Sequence, residues 1–174
     1  MSPTIVNILS LSFSRNRLGF AVFRRGHLDY YAGKTLSRYL TTPSRNRGLV
    51  LTVNELVKGH SINKLALPRL NKQQRHSPEL CSLYRAVRRF CAKNRLIVVM
   101  QDPIQMRRKL IGDSKPSKAN VQTRLVEIFP ELRRYTSGGS EWERRYYGHV
   151  FTAIGSGMVA AGFDTTRSGK GVME

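Results

Sequence analysis

Acidic residues are what this 174-residue chain has least of: eleven Asp and Glu stand against thirty Lys and Arg, giving a net charge of +19 and a pI near 10.9. Surface charge on a small folded domain is ordinarily mixed in sign. An excess this large calls for a polyanionic partner, nucleic acid foremost, with an acidic protein or a membrane surface as the alternatives. Cysteine is equally scarce. Cys81 and Cys91 fall ten residues apart on one predicted helix, so roughly 15 Å of rise separates them, too far for a disulfide. Neither belongs to a Cys-x-x-Cys pair, which excludes the usual zinc spacing and leaves buried thiols as the expectation. No apolar run reaches the length of a membrane span. Residues 1–4 carry no basic flank and the apolar run after them stops at Ser12, so no secretory signal is expected. The chain is therefore expected to be soluble and cytoplasmic or nucleoid-associated, not secreted and without a membrane partner. Gly33-Lys34-Thr35 imitates the end of a phosphate-binding loop, but the glycine required five positions earlier is Leu28, and the motif fails.

With 40% hydrophobic residues, the chain has enough apolar material for one domain of ordinary size. Two apolar runs, 5–11 and 18–23, flank a polar turn carrying Arg15 and Arg17. Both are too short for globular helices and read as a buried hairpin. A third strand over 28–36 makes an antiparallel meander. Residues 37–48 are polar, basic and turn-rich, and Leu49, Val53, Leu56 and Val57 then recur at helical spacing up to Gly59. A short strand over 62–67 stops at Pro68, which cannot donate to a sheet ladder. Pro78 opens the clearest helix, with Leu80, Leu83, Tyr84, Val87, Phe90 and Cys91 on one face and Arg85, Arg88, Arg89 and Lys93 on the other. Residues 96–100 read as a continuous buried strand, 102–110 as a short helix, and Val121, Leu125, Ile128 and Phe129 as the inner face of another. A flexible stretch over 136–145 precedes a last helix over 146–161. Trp142, the only tryptophan, is read as packing over the core edge, with stacking on a base the alternative. Strand and helix alternating after a meander implies parallel strands added by right-handed crossovers.

Arginine outnumbers lysine by more than two to one, and its planar fork suits bidentate phosphate contact. The basic residues expected at a nucleic-acid surface are Arg15 and Arg17 in the first turn, Lys72 and Arg75 in the loop before Pro78, Lys115 and Lys118 at a helix start, and Arg144 and Arg145. A lysine at a helix start opposes the macrodipole, but the free amides there also attract phosphate, and the two readings balance.

Three passages carry a resemblance: residues 8–22, the lysine-led helix from Lys118 to Phe129 continuing into Pro130-Glu131-Leu132, and Trp142-Glu143 through His149 to Ala153. Across most of 5–161 the chain resembles the ribonuclease H-like superfamily, and more closely its RuvC-like resolvase branch. The resemblance implies a mixed five-stranded α/β sheet, a three-stranded antiparallel meander plus two parallel strands, flanked by helices. Members of that family cut nucleic acid with two divalent metals held by carboxylates, since hard Mg²⁺ or Mn²⁺ needs anionic oxygens. Residue by residue, the first-strand aspartate falls at Ser12, the glutamate closing the fourth strand near Pro68, and the last-helix aspartate at Thr152. His149 matches a position where some resolvases use histidine, but alone it holds no pair of Mg²⁺ ions. Asp102, Asp113, Glu141 and Glu143 remain as substitutes, with salt bridges the plainer role for them.

These residues imply a single domain over 1–161 with a flexible tail over 162–174. They imply a catalytically inactive, RuvC-like pseudoenzyme that holds DNA or RNA backbone on a basic surface, with no metal and no cofactor. One alternative is a structural subunit of a larger ribonucleoprotein or mobile-element complex. The other is a metal-dependent endonuclease with relocated ligands, which alone would need Mg²⁺ or Mn²⁺. The resemblance leaves room for a homodimer, since resolvases of this type dimerise, and for other proteins of a nucleoprotein assembly.

Overall fold

A computed structural model describes residues 6–36, 41–112, 116–136 and 139–164. Strands β1 (Asn7–Phe13), β2 (Arg17–Arg24) and β3 (His27–Thr35) form the expected meander. They are followed by α1 (Thr42–Gly59), β4 (Lys64–Pro68), α2 (Pro78–Lys93), β5 (Ile97–Gln101), α3 (Pro103–Ile111), α4 (Lys118–Ile128) and α5 (Glu141–Ala160). The sheet runs β3-β2-β1-β4-β5. β1 pairs antiparallel with β2 and parallel with β4, and β5 is parallel to β4.

Strand alternation divides the core in two. Leu9, Leu11 and Phe13 of β1 join Leu49, Val53, Leu83 and Val87 beneath α1 and α2. Ile8 belongs to the opposite layer with Leu110, Leu125, Phe151 and Ile154 from α3, α4 and α5. Ser10 and Ser12 share that second face and are buried as well, so the layer between the sheet and α5 carries a polar seam.

Several boundaries depart from the sequence reading. α1 begins at Thr42 rather than Leu49, because the Thr41 side chain accepts from the Ser44 amide and Pro43 suits a first turn. Its first two turns are too exposed to show an apolar period. β5 is a sheet edge rather than a buried strand: Ile97 is 61% exposed. α5 begins at Glu141 rather than Tyr146, fixed by a capping box in which Ser140 and Glu143 satisfy each other's backbone amides. Pro68 is the last residue of β4, two places past the end of the β1–β4 pairing at Ala66. Cys91 is buried as expected, whereas Cys81 is only half-buried.

α5 lies directly on β1 and β2, and two glycines permit it. A Cβ on Gly19 would fall 2.2 Å from the backbone carbon of His149, and one on Gly157 would fall 2.3 Å from the Phe23 ring. Neither distance is compatible with van der Waals contact, so any side chain at Gly19 pushes the helix off the sheet. Gly19→Ala is expected to destabilise the fold by about 3 kcal/mol through overpacking against backbone that cannot yield. Gly48→Ala, inside α1 with open space around it, is expected to stabilise by about 0.5–1 kcal/mol. Urea unfolding midpoints of the two variants should therefore move in opposite directions.

Candidate functional site

The carboxyl ends of the parallel strands bring together residues far apart in sequence. Ser12 is 5% exposed on β1, and its Oγ lies 3.0 Å from Nδ1 of His149 on α5. On the neighbouring strands, Pro68 of β4 pairs with Gln101 of β5. The Gln101 side chain is hydrogen-bonded to the buried Ser156 hydroxyl, tying the end of β5 to α5. The Tyr84 hydroxyl donates to the Pro68 carbonyl. Thr152 turns its hydroxyl back to its own helix, donating to the Gly148 carbonyl at 2.9 Å. Ser12 and His149 thus meet where α5 lies on the sheet, with Thr152 about one helical turn beyond His149.

Two cations act on the imidazole here. The pKa of His149 is pushed down to about 4, first by burial and then by the fields of Arg17 and Lys118. The ring is neutral at pH 7, and its Nδ1 shares a hydrogen bond with the serine hydroxyl. Arg17 arrives from the first residue of β2 and Lys118 from the first residue of α4, so two of the expected basic residues do meet here.

Comparison of the whole fold gives it structural neighbours. Thermus thermophilus RuvC superposes with a TM-score of 0.65 at 13% identity, covering 90% of this chain and 98% of that one. The resolvase of Fowlpox virus in complex with Holliday junction DNA gives 0.56 at 11% identity, over 90% and 97% of the two chains. The yeast mitochondrial Holliday junction resolvase gives 0.58 at 11% identity, over 87% and 77%. The chain has the RuvC-like form of the ribonuclease H-like fold. By sequence, no family model and no curated protein matches it.

On this RuvC-like fold the positions read as carboxylate-bearing in the family hold Ser12, Pro68 and Thr152. A hard divalent cation needs anionic oxygen donors. What stands here is a serine hydroxyl, a neutral imidazole, a threonine hydroxyl bonded within its helix, and two nearby cations. That set does not fit Mg²⁺ or Mn²⁺. Among the described residues no three His, Cys, Asp or Glu side chains gather closely enough to hold an ion. The carboxylates considered as substitutes have other engagements. Asp102 caps α3, accepting from the amides of Ile104 and Gln105 at 2.8 and 3.0 Å. Glu143 accepts from the Ser140 amide at 2.8 Å. Glu141 is bridged to Arg145. Asp113 lies outside the described residues.

The other expected basic residues are dispersed. Arg15 faces Glu79 of α2 at 3.7 Å, and Arg75 donates from Nε to the Leu70 carbonyl at 3.2 Å. Lys72 and Arg144 are exposed, and Lys115 lies outside the described residues. Trp142 does not pack over the core edge: it is 57% exposed and stacked on Tyr146. Gln101 and Ser156 escaped the sequence reading. A buried glutamine closing an apolar strand was the one signal that could have found them. No helix among the described residues is long and apolar enough to cross a membrane.

The depressed pKa of His149 has a measurable effect on stability. Between about pH 6.5, where an unfolded histidine titrates, and pH 4, the unfolded chain binds a proton that the folded site refuses. Stability is therefore expected to fall as pH drops through this window, by about 3 kcal/mol in total, and to gain nothing from this residue above it. Subtracting the unfolding free energies of His149→Gln from those of the native chain, pH by pH, isolates the effect. NMR titration of the ring should place its midpoint near 4.

Proposed function

We propose that this chain is a nucleic-acid-binding RuvC-like domain that holds the phosphate backbone at the edge where the family keeps its metals, and that it does so without cutting. Its unit of binding is the single domain over residues 1–161. The observation that carries the reading is the inverted charge of the site: Arg17 and Lys118 bear on a neutral His149, itself hydrogen-bonded to Ser12. A cluster of carboxylates repels phosphate unless metals neutralise it. A hydroxyl–imidazole pair beside two cations attracts phosphate directly. The net charge of +19 supplies the long-range attraction, and Arg15, Lys72, Arg75, Arg144 and Arg145 extend it over the surface. Solved structures of two neighbours, from Thermus thermophilus and Fowlpox virus, contain Holliday junction DNA, which makes branched DNA the first substrate to try.

A second reading, a structural subunit of a nucleoprotein assembly, is favoured by the apolar side chains left in water, Ile97 on the open edge of β5 and Ile104 on α3. Under it the chain needs protein neighbours, including a second copy of itself, before it holds nucleic acid.

The test is a binding titration against a four-way junction, linear duplex, single-stranded DNA and structured RNA, with and without Mg²⁺, at two salt concentrations. Binding is expected to weaken steeply with salt, to be indifferent to Mg²⁺, and to leave every strand intact on a denaturing gel. Arg17→Ala and Lys118→Ala should each lower the log–log salt slope on duplex by about 0.9, the loss of one phosphate contact. A cut that requires Mg²⁺ or Mn²⁺ would overturn the reading, and its disappearance in Asp102→Asn or Glu143→Gln would identify relocated ligands. No complex with bare nucleic acid at low salt would favour the assembly subunit.

A further inference from the structure

Trp142 occupies the second position of α5 and leaves more than half of its surface in water. Burial does not explain a tryptophan placed this way, yet its surroundings are well built. The Tyr146 ring, one helical turn on, lies 5.3 Å from the indole and within 17° of parallel to it. Tyr146 in turn lies close against the sheet, where a Cβ on Gly33 of β3 would come within 2.8 Å of its ring. Its edge meets Tyr147 at 5.2 Å and 87°. Tyr147 packs on Tyr135 at 4.5 Å, and Tyr135 on Tyr31 of β3 at 6.2 Å. The guanidinium of Arg134 sits 4.7 Å over the Tyr135 ring. Five rings thus form a row that starts on the sheet and ends at the outward face of Trp142.

The row suits a planar, anion-bearing ligand. The indole is held before any partner arrives: the capping box fixes the first turn of α5 and Tyr146 backs the ring, so little side-chain freedom remains to be lost on stacking. The two carboxylates of that turn are engaged, Glu141 with Arg145 and Glu143 with the Ser140 amide, while Arg144 is exposed beside them. The row also lines up with the site. Trp142, Tyr146 and His149 follow at the i, i+4, i+7 spacing of one helix stripe, so Trp142 lies two turns, roughly 10 Å, from the Ser12–His149 pair along the α5 axis.

We infer that the outward face of Trp142 is a stacking platform for an unpaired base, so that the chain prefers single-stranded nucleic acid, or the unpaired nucleotides of a branched one, over continuous duplex. The inference rests on the nucleic-acid reading above and adds the state of the strand that is held. Stacking on an aromatic face tolerates any base, since every base has a π-face, but a base inside a duplex has both faces covered by its neighbours.

Because Trp142 is the only tryptophan, its emission reports on this platform alone. The full chain is titrated with oligodeoxythymidylate, with oligouridylate of the same length, and with a blunt duplex, while anisotropy of a labelled strand follows binding independently. Emission is expected to be quenched in step with binding for the single strands and hardly at all for the duplex. Trp142→Ala should weaken single-strand binding about tenfold, the size of one base–aromatic stack, and duplex binding by less than about twofold. Trp142→Phe should keep most of the affinity, and thermal unfolding of all three proteins should coincide. Binding by anisotropy with unchanged emission would overturn the platform and leave the nucleic-acid reading standing, as would equal losses on single strand and duplex in Trp142→Ala. Failure to bind any of the three would sink both. Quenching by one single strand and not the other would support the platform and decide between DNA and RNA.

Discussion

The close contact of α5 with the middle of the sheet is the constraint from which the site follows. It exists because Gly19 and Gly157 present no side chain where the His149 backbone and the Phe23 ring must pass. Once the helix is seated, His149 faces Ser12, Ser156 reaches Gln101, and Val150, Phe151, Ile154 and Met158 fall into the core of that layer. The same seating partly buries the imidazole, and burial is the leading cause of its lowered pKa. A helix even 1–2 Å further out would rehydrate the ring, lengthen the Ser12 hydrogen bond and release the end of β5. Packing and chemistry are here one requirement.

That requirement also decides which residues are tolerable at the seam. A carboxylate at Ser12 would be nearly dehydrated, and burying an ion is permissible only with compensating charge and hydrogen bonds. Metals provide that compensation in a carboxylate cluster. With Ser12 and Thr152 in place no compensation is needed: each hydroxyl finds a hydrogen bond, and the His149 ring stays uncharged. Arg17 and Lys118 can then stand close by without facing an anion that would neutralise them. The seam is not perfectly satisfied, since the buried Ser10 hydroxyl has no partner among the described residues, an omission of the kind that costs about 1–3 kcal/mol. Gly157 is what brings the helix close enough to enclose it. Tight seating of α5 evidently outweighs one orphaned hydroxyl.

The sheet was legible because its strands obey a period of two and their turns carry the residues that turns need. The parallel pairing followed from chain order alone. What misled was exposure. The first turns of α1 have no apolar stripe, so a proline-containing basic run looked like loop, although Thr41 followed by Pro43 is a helix start. The stretch over residues 136–145 reads as flexible from its Ser-Gly-Gly-Ser run, although Ser140 with Glu143 three places on is a capping box. β5 has the apolar sequence of a buried strand but lies at an edge that no strand among the described residues covers. The resemblance singled out Ser12 and His149 separately, on β1 and α5. The bond between them could not be read from it, because 137 residues separate its partners and only the seating of α5 joins them.

Trp142 fits this account once α5 is seen as two half-helices with different duties. Its second half is buried nearly all round and fixes the helix to the sheet. Its first half lies over Gly33 of β3 and packs through Tyr147 against the core, while Trp142 stacks on Tyr146 outside it. Gly33 does for Tyr146 what Gly19 does for His149, letting one side of α5 lie against bare strand backbone. A rigid anchor below and a self-supported aromatic row above mean that the outermost ring is positioned by the same packing that positions the imidazole. Anything bound across both therefore meets two surfaces whose separation is fixed by the helix rather than by a loop.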